Sequence, residues 1–147
     1  MLTTLLLTGL GSGKGPAQPP VDTPAERTIT FTKLGGNFAP QQQLDPTDVM
    51  DFLLNLTPLL DESEAFLSVD IRVVAQSQLH GFIIMDEAPF APVVVGNGRV
   101  QIWCTIKPEN RNSSQWAKGT LCQVEVTATT TLQRTWQRTA QITAVNK

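Results

Sequence analysis

The sequence contains no tyrosine and a single histidine, His80, in 147 residues. Acid–base and nucleophilic catalysis draw mainly on His, Tyr, Cys and facing carboxylates, so the usual catalytic repertoire is thin. His80 lies in an apolar stretch with no companion nucleophile and is expected to be structural. Cysteine is equally scarce. Cys104 and Cys122 form neither a C-x-x-C pair nor a cluster with histidine, so no metal ligand set is present. G-x-S-x-G and H-E-x-x-H are missing. GSGKG at 11–15 has neither the spacing nor the Ser/Thr after Lys14 that a phosphate loop requires. Asp61, Glu62 and Glu64, and Asp86 with Glu87, flank turns and are expected to be solvated turn charges. The sequence therefore points away from an enzyme and implies no cofactor.

Charge is also low, at 16% of residues against about a quarter in ordinary soluble domains. The net charge of −2 and a pI near 5.3 leave no basic field to hold nucleic acid. No apolar run approaches the roughly 20 residues of a membrane-spanning helix. Neither nucleic acid nor membrane is expected as a direct partner. The opening MLTTLLLTGL has no positive leading segment and is interrupted by Thr3, Thr4 and Thr8. It is expected to be part of the mature chain rather than an export signal.

What the sequence does have is apolar residues at 41% and an abundance of Thr, Gln, Ser and Asn. The length suits one domain that folds without disulfide or metal. Charge is unevenly distributed. Residues 1–98 carry four basic and eleven acidic side chains, and residues 99–147 carry seven and two. Two opposite faces of one fold, or head-to-tail packing of identical subunits, are both consistent with that polarity.

Residues 1–10 alternate Thr and Leu and can form a short strand. Residues 11–25, GSGKGPAQPPVDTPA, form a linker that is flexible at Gly11, Gly13 and Gly15 and stiffened by Pro16, Pro19, Pro20 and Pro24. The chain thus divides into an arm and linker, 1–25, and a body, 26–147. An isolated apolar peptide is costly in water. Leu2, Leu5, Leu6, Leu7 and Leu10 are therefore expected to dock by strand addition, either on the body's own sheet edge or on a neighbouring subunit's.

Within the body, RTITFTK at 27–33 predicts an edge strand. AFLSVDIRVV at 65–74 predicts a half-buried strand with Leu67, Val69, Ile71 and Val73 on one face. Further strands are predicted at 78–85, 91–95, 99–106, 119–129 and 132–145. In the last, Gln133, Thr135, Gln137, Thr139, Gln141 and Thr143 form an uncharged hydrogen-bonding row. Residues 45–60 fit a helix and a strand equally well. Seven or so short strands with frequent turn signals predict an antiparallel β-sandwich with little helix.

Cys104 and Cys122 flank the polar loop 107–118. A disulfide is conceivable if their strands form a hairpin, but two buried thiols are favoured. Trp103, between Ile102 and Cys104, is expected in the core. Trp116, in the polar loop, is expected to be exposed and to serve as a contact anchor or as a stacking platform for sugar rings. Arg134, Trp136 and Arg138 alternate at strand spacing and are expected on one face. That face stacks Arg on Trp, meets an acidic partner, or is ordinary sheet packing.

DPTDVMDFLLNLTPLLDESEAFLSVD at 45–70 resembles the D-P-x-x-V-L-D-Y opening of the fiber-tail adaptor family of tailed bacteriophages. RVQIWCTI and CQVEVTATTTLQRTWQRTAQITAV, within 99–145, resemble that family's closing strands. The matching positions are Asp45, Pro46, Val49, Asp51, Phe52, Leu60, Glu64, Val100, Trp103, Val124 and Arg134. The resemblance spans roughly residues 38–145. It implies strand rather than helix at 48–56, an immunoglobulin-like sandwich, and a virion structural protein without catalytic activity. Such a protein serves as an adaptor in the tail or neck that links fibres or spikes to the particle. Its partners would be other virion proteins and further copies of itself in a symmetric assembly. The alternatives are a decoration protein on the phage head and a carbohydrate-binding module.

Overall fold

A computed structural model describes residues 2–6, as backbone alone, and residues 21–147. The chain is an all-β sandwich of two sheets, as the alternation predicts. The first sheet has the order β1-β4-β8-β9: Leu2–Leu6, Phe66–Val73, Thr120–Thr130 and Thr135–Ala144. The second has the order β2-β3-β7-β5: Thr28–Thr30, Met50–Asn55, Arg99–Ile106 and Phe82–Ile84. The two-residue β6, Val93–Val94, also pairs with β7. All neighbours are antiparallel except β2 and β3, which run parallel.

The core follows from period-two alternation. Val69, Ile71 and Val73 of β4, and Cys122, Val124, Val126 and Ala128 of β8, face inward. Ala140, Ile142 and Ala144 of β9 do the same. They meet Phe52 and Leu54 of β3, Val100, Ile102, Cys104 and Ile106 of β7, and Phe82 and Ile84 of β5. At the start of β4 a bulge between Phe66 and Ser68 shifts the register. Phe66 therefore takes the buried place and Leu67, expected inward, is only half-buried.

Residues 50–55 form a strand rather than a helix. Asp51, Phe52, Leu53 and Leu54 are all buried because this sheet is covered on both faces, which removes the alternation that distinguishes the two readings. Of the strand predicted over 78–85, only β5 is strand. Ala75–Leu79 is one short helical turn, α1, carrying the chain from the first sheet to the second. The buried Ser77 hydroxyl accepts the Gln123 amide at 2.8 Å and holds α1 on β8. Gly81 then turns the chain at φ +90°, where a Cβ would strike the Asn110 side chain at 2.5 Å.

The 107–118 loop is not an exposed polar excursion. Two 3-10 turns, Pro108–Asn110 and Ser114–Trp116, fold it back on the sandwich end. Trp116 is completely buried. Its Nε1 donates to the Asn110 carbonyl at 2.7 Å, and its own carbonyl accepts Asn146 N at 2.9 Å. Trp103 reverses in the other direction. It stands in the outward row of β7, opposite Asp51, and is half-buried against Phe90 at 5.3 Å.

Candidate functional site

The first sheet ends in two edges, and each is closed differently. Beside β9 the body supplies its own cover. Phe38 and Leu44 bridge to Ala140 and Ala144, with Gln141 N donating to the Phe38 carbonyl and Leu44 N to the Thr143 carbonyl. Beside β4 the cover is the N-terminal strand. Leu2, Thr3, Thr4, Leu5 and Leu6 stand opposite Arg72, Ile71, Asp70, Val69 and Ser68. The register places Thr3 and Leu5 in the row of the buried Ile71 and Val69. Strand formation over the Thr/Leu alternation therefore appears within one chain, on its own sheet edge. Leu7 and Leu10, and linker residues 11–20, lie outside the described residues.

Residues 21–27 are fastened to the second sheet. Gln101 clasps Val21 twice, accepting its N–H at Oε1 and donating to its carbonyl at 2.7 Å. Thr23 Oγ1 donates to Asp51 Oδ2 and accepts from Gln101 Nε2. Arg27 donates to Asp51 Oδ1 at 3.2 Å, to the Asp51 carbonyl at 2.9 Å and to Gln42 Oε1 at 3.1 Å. Asp51 and Gln101 are buried, so this polar network sits under residues 21–27 on the outer face of the second sheet. Asp51 and Gln101 stand in the outward rows of β3 and β7, which explains why two strand-centre positions tolerate polar groups.

In the acidic turn Glu62 is exposed as expected, while Asp61 and the buried Glu64 take part in ion pairs. Asp61 pairs with Lys33 and with Arg134 at 2.6 Å, and Glu64 approaches Arg134 at 3.5 Å. Glu64 is buried and accepts the Asp61 amide at 2.8 Å. Lys33 first, then Arg134, hold the Asp61 carboxyl down at about 2. The hydrogen bond from the Asp61 amide lowers Glu64. Some of the charge polarity along the sequence is thus matched inside one subunit, since Asp61 and Glu64 come from the acidic stretch and Arg134 from the basic one.

A depressed carboxyl contributes stability that is present above the unfolded pKa and disappears as pH falls through the folded value. For Asp61 that window runs from about pH 4 down to about pH 2. Asp61→Asn is expected to flatten the acid limb of stability across that window: its loss is small, because the pair is exposed, and it shows at pH 7 and vanishes by about pH 2. Urea midpoints measured between pH 2 and pH 7 check this. An unchanged acid limb contradicts it.

Arg134 does not share a strand row with Trp136 and Arg138. It belongs to the tight β8–β9 turn, after Gln133 at φ +66°, and its carbonyl accepts Thr130 N at 2.9 Å. Trp136 and Arg138 lie in the inward row of β9, continuous with Ala140. The Arg138 guanidinium sits 5.0 Å from the Trp136 ring centre. It donates to the Thr32 and Lys33 carbonyls at 3.0 and 2.7 Å, binding the 31–38 segment to the sandwich end. Arg stacking on Trp is therefore present, in the service of the fold. Trp116, expected as the exposed anchor, contributes no surface. The outward row of Thr135, Gln137, Thr139 and Gln141 is itself uncharged and stands opposite Thr129, Thr127, Glu125 and Gln123, while Glu125 pairs across the same face with Arg72 of β4.

Among the described residues, a cavity of about 140 Å³ lies between β4 and β5. Ile71, Val73, Phe82 and Ile84 line it, with Gln78 and Lys107 as its polar members. Ordinary ligand sites start near 300 Å³, so it suits at most a small apolar group. Cys104 and Cys122 are both free and buried, on β7 and β8 in different sheets rather than in one hairpin. Burial pushes both thiols up, Cys122 to about 12. Thiolate is the reactive form. Both cysteines are expected to ignore a thiol reagent such as DTNB in the native chain and to react fully in denaturant. Rapid labelling of the folded chain contradicts this.

No protein-family model matches the chain, and no curated protein matches it either.

Proposed function

We propose that the chain is a non-enzymatic structural subunit of a tailed-bacteriophage virion, an adaptor in the tail or neck. It attaches fibres or spikes through its N-terminal arm and its sandwich. The observation that carries this reading is the strand addition of β1 to β4. The segment Leu2–Leu6 extends the sheet of a body to which it is joined by a Gly- and Pro-rich stretch of sequence. Strand addition of this kind is a general way of holding one polypeptide to another.

Two further observations support the reading. The resemblance to the adaptor family rests on residues of 45–70 and 99–145, and the two segments meet in the fold. Asp51 and Phe52 of β3 stand opposite Trp103 and Ile102 of β7. The outward row of β9 also presents Thr135, Gln137, Thr139 and Gln141, an uncharged hydrogen-bonding strip suited to extended protein contact. The carbohydrate-binding alternative loses Trp116 as a stacking platform, because that ring is buried.

A mass-spectrometric inventory of purified particles, with stoichiometry, tests the proposal. The chain is expected in the particle at a copy number set by the tail's rotational symmetry, on the order of a dozen or fewer. Hundreds of copies would identify a head decoration protein instead. Absence from the particle overturns the proposal.

A further inference from the structure

We propose that β1 exchanges between copies of this chain, so that in the assembled state the arm of one subunit lies on β4 of the next. The inference rests on the arm being a docking element, as above, and is independent of which particle contains it.

Three observations carry it. First, among the described residues β1 pairs with β4 and with no other strand. The same rungs therefore form whether that β4 belongs to its own chain or to a second copy. Exchange is then nearly neutral in ladder energy, the condition under which domain swapping has a low cost.

Second, the connection is long enough. Fourteen residues, 7–20, separate the last rung at Leu6 from Val21, where Gln101 takes hold. A stretch rich in Gly and Pro spans on the order of 40 Å when extended at about 3.1 Å per residue. A domain of this length has a radius of gyration of about 15 Å. The reach is therefore about one domain diameter, sufficient to seat the arm on an abutting copy.

Third, the β4 edge cannot be left bare. Val69, Ile71 and Val73 alternate along it as buried core residues, and a vacated edge would present unpaired backbone beside an apolar row. An arm that leaves must be replaced by another. That requirement selects closed arrangements, reciprocal pairs or rings, in which every β4 holds an arm. The β9 edge has no such need, because residues 38–44 already cover it.

Within one chain the arm competes at an effective concentration in the millimolar range. Dilute protein is thus monomeric with its own arm docked, and exchange appears when copies are concentrated. The experiment uses the full-length chain with cysteines at the Leu6–Ser68 rung. Directly opposed strand residues lie about 4.5–5.5 Å apart, within disulfide range. The native thiols are buried and do not compete.

One chain carries Leu6→Cys, a second carries Ser68→Cys, and the two are mixed at about 1 mM and oxidised. The expected product is a covalent mixed dimer. It should exceed by at least about tenfold the product from Leu6→Cys mixed with Gln137→Cys, a position two strands away on the same sheet. The double variant, Leu6→Cys with Ser68→Cys in one chain, is oxidised in dilute solution and should close within itself. Closure of the double variant without mixed dimer above the control overturns exchange and leaves the docked arm standing. Failure of both to form overturns the pairing itself.

Discussion

Trp116→Ala is expected to cost about 3–5 kcal/mol of folding stability, the range for truncating a fully buried aromatic. The ring is completely enclosed, and it carries its own hydrogen bond to the Asn110 carbonyl. Truncation removes the apolar area that the 107–118 loop packs into the sandwich end. It also removes the shorter of two hydrogen bonds to that carbonyl, leaving the one from Ser113 N at 3.2 Å. For a domain of this size the melting temperature is expected to fall by roughly 10 °C or more. Trp116→Phe, which keeps most of the apolar volume and loses the N–H, is expected to cost about half as much. A Trp116→Ala protein with wild-type stability but weakened association would return this residue to the surface role that the polar loop suggests. Calorimetry and urea titration decide between the two.

Asp51→Ala is expected to cost about 3 kcal/mol, because removing one partner of a buried ion pair strands the other. Asp51 receives bonds from Thr23, Arg27 and Gln101 at once. Its loss removes the charge that Arg27 pairs with and the acceptor of Thr23, leaving the Arg27 guanidinium only the residue 51 carbonyl and Gln42 as acceptors. The destabilisation is expected to be partly local: proteolysis should open the chain between residues 21 and 27 before the body unfolds. Asp51→Asn keeps an acceptor for Thr23 and gives up the charge, so a smaller loss is expected. Equal stability of Asp51→Ala and wild type, with no new cleavage near Val21, would contradict the clamp.

Much of the sandwich is legible in the sequence, and the reason is visible strand by strand. β4, β8 and β9 have one face in the core and one toward solvent, so Val69, Ile71, Val124, Val126 and Ile142 alternate with polar residues. β3 hides because Asp51 and Leu53, in its outward row, are covered by the segment after the linker. Burial on both faces erases a period of two. The helical turn at 75–79 hides because Phe82 and Ile84 extend an apolar run into a crossover that only Gly81 marks.

The candidate site divides in the same way. The Thr/Leu alternation at the N-terminus suggests a strand, and a strand forms over Leu2–Leu6 beside β4. Trp116 misleads because neighbouring polar residues predict exposure. The available signal is that it is the one large apolar side chain in a long loop closing an open sandwich end. The roles of Arg134 and Arg138 depend on partners over 70 residues away, Asp61 and Thr32, which no local pattern contains.

Hydrogen exchange of the full chain, read by mass spectrometry, tests most directly that the N-terminal strand completes the sheet. Amides of residues 2–6 are expected to exchange at least about a hundredfold more slowly than an unstructured peptide, together with the outer edge of 66–73. In an edge strand every second N–H faces its partner. Thr4→Pro combined with Leu5→Pro therefore removes at least one rung and should abolish that protection while leaving β8 unchanged. Residues 2–6 exchanging at unstructured rates in the unaltered chain would contradict the account.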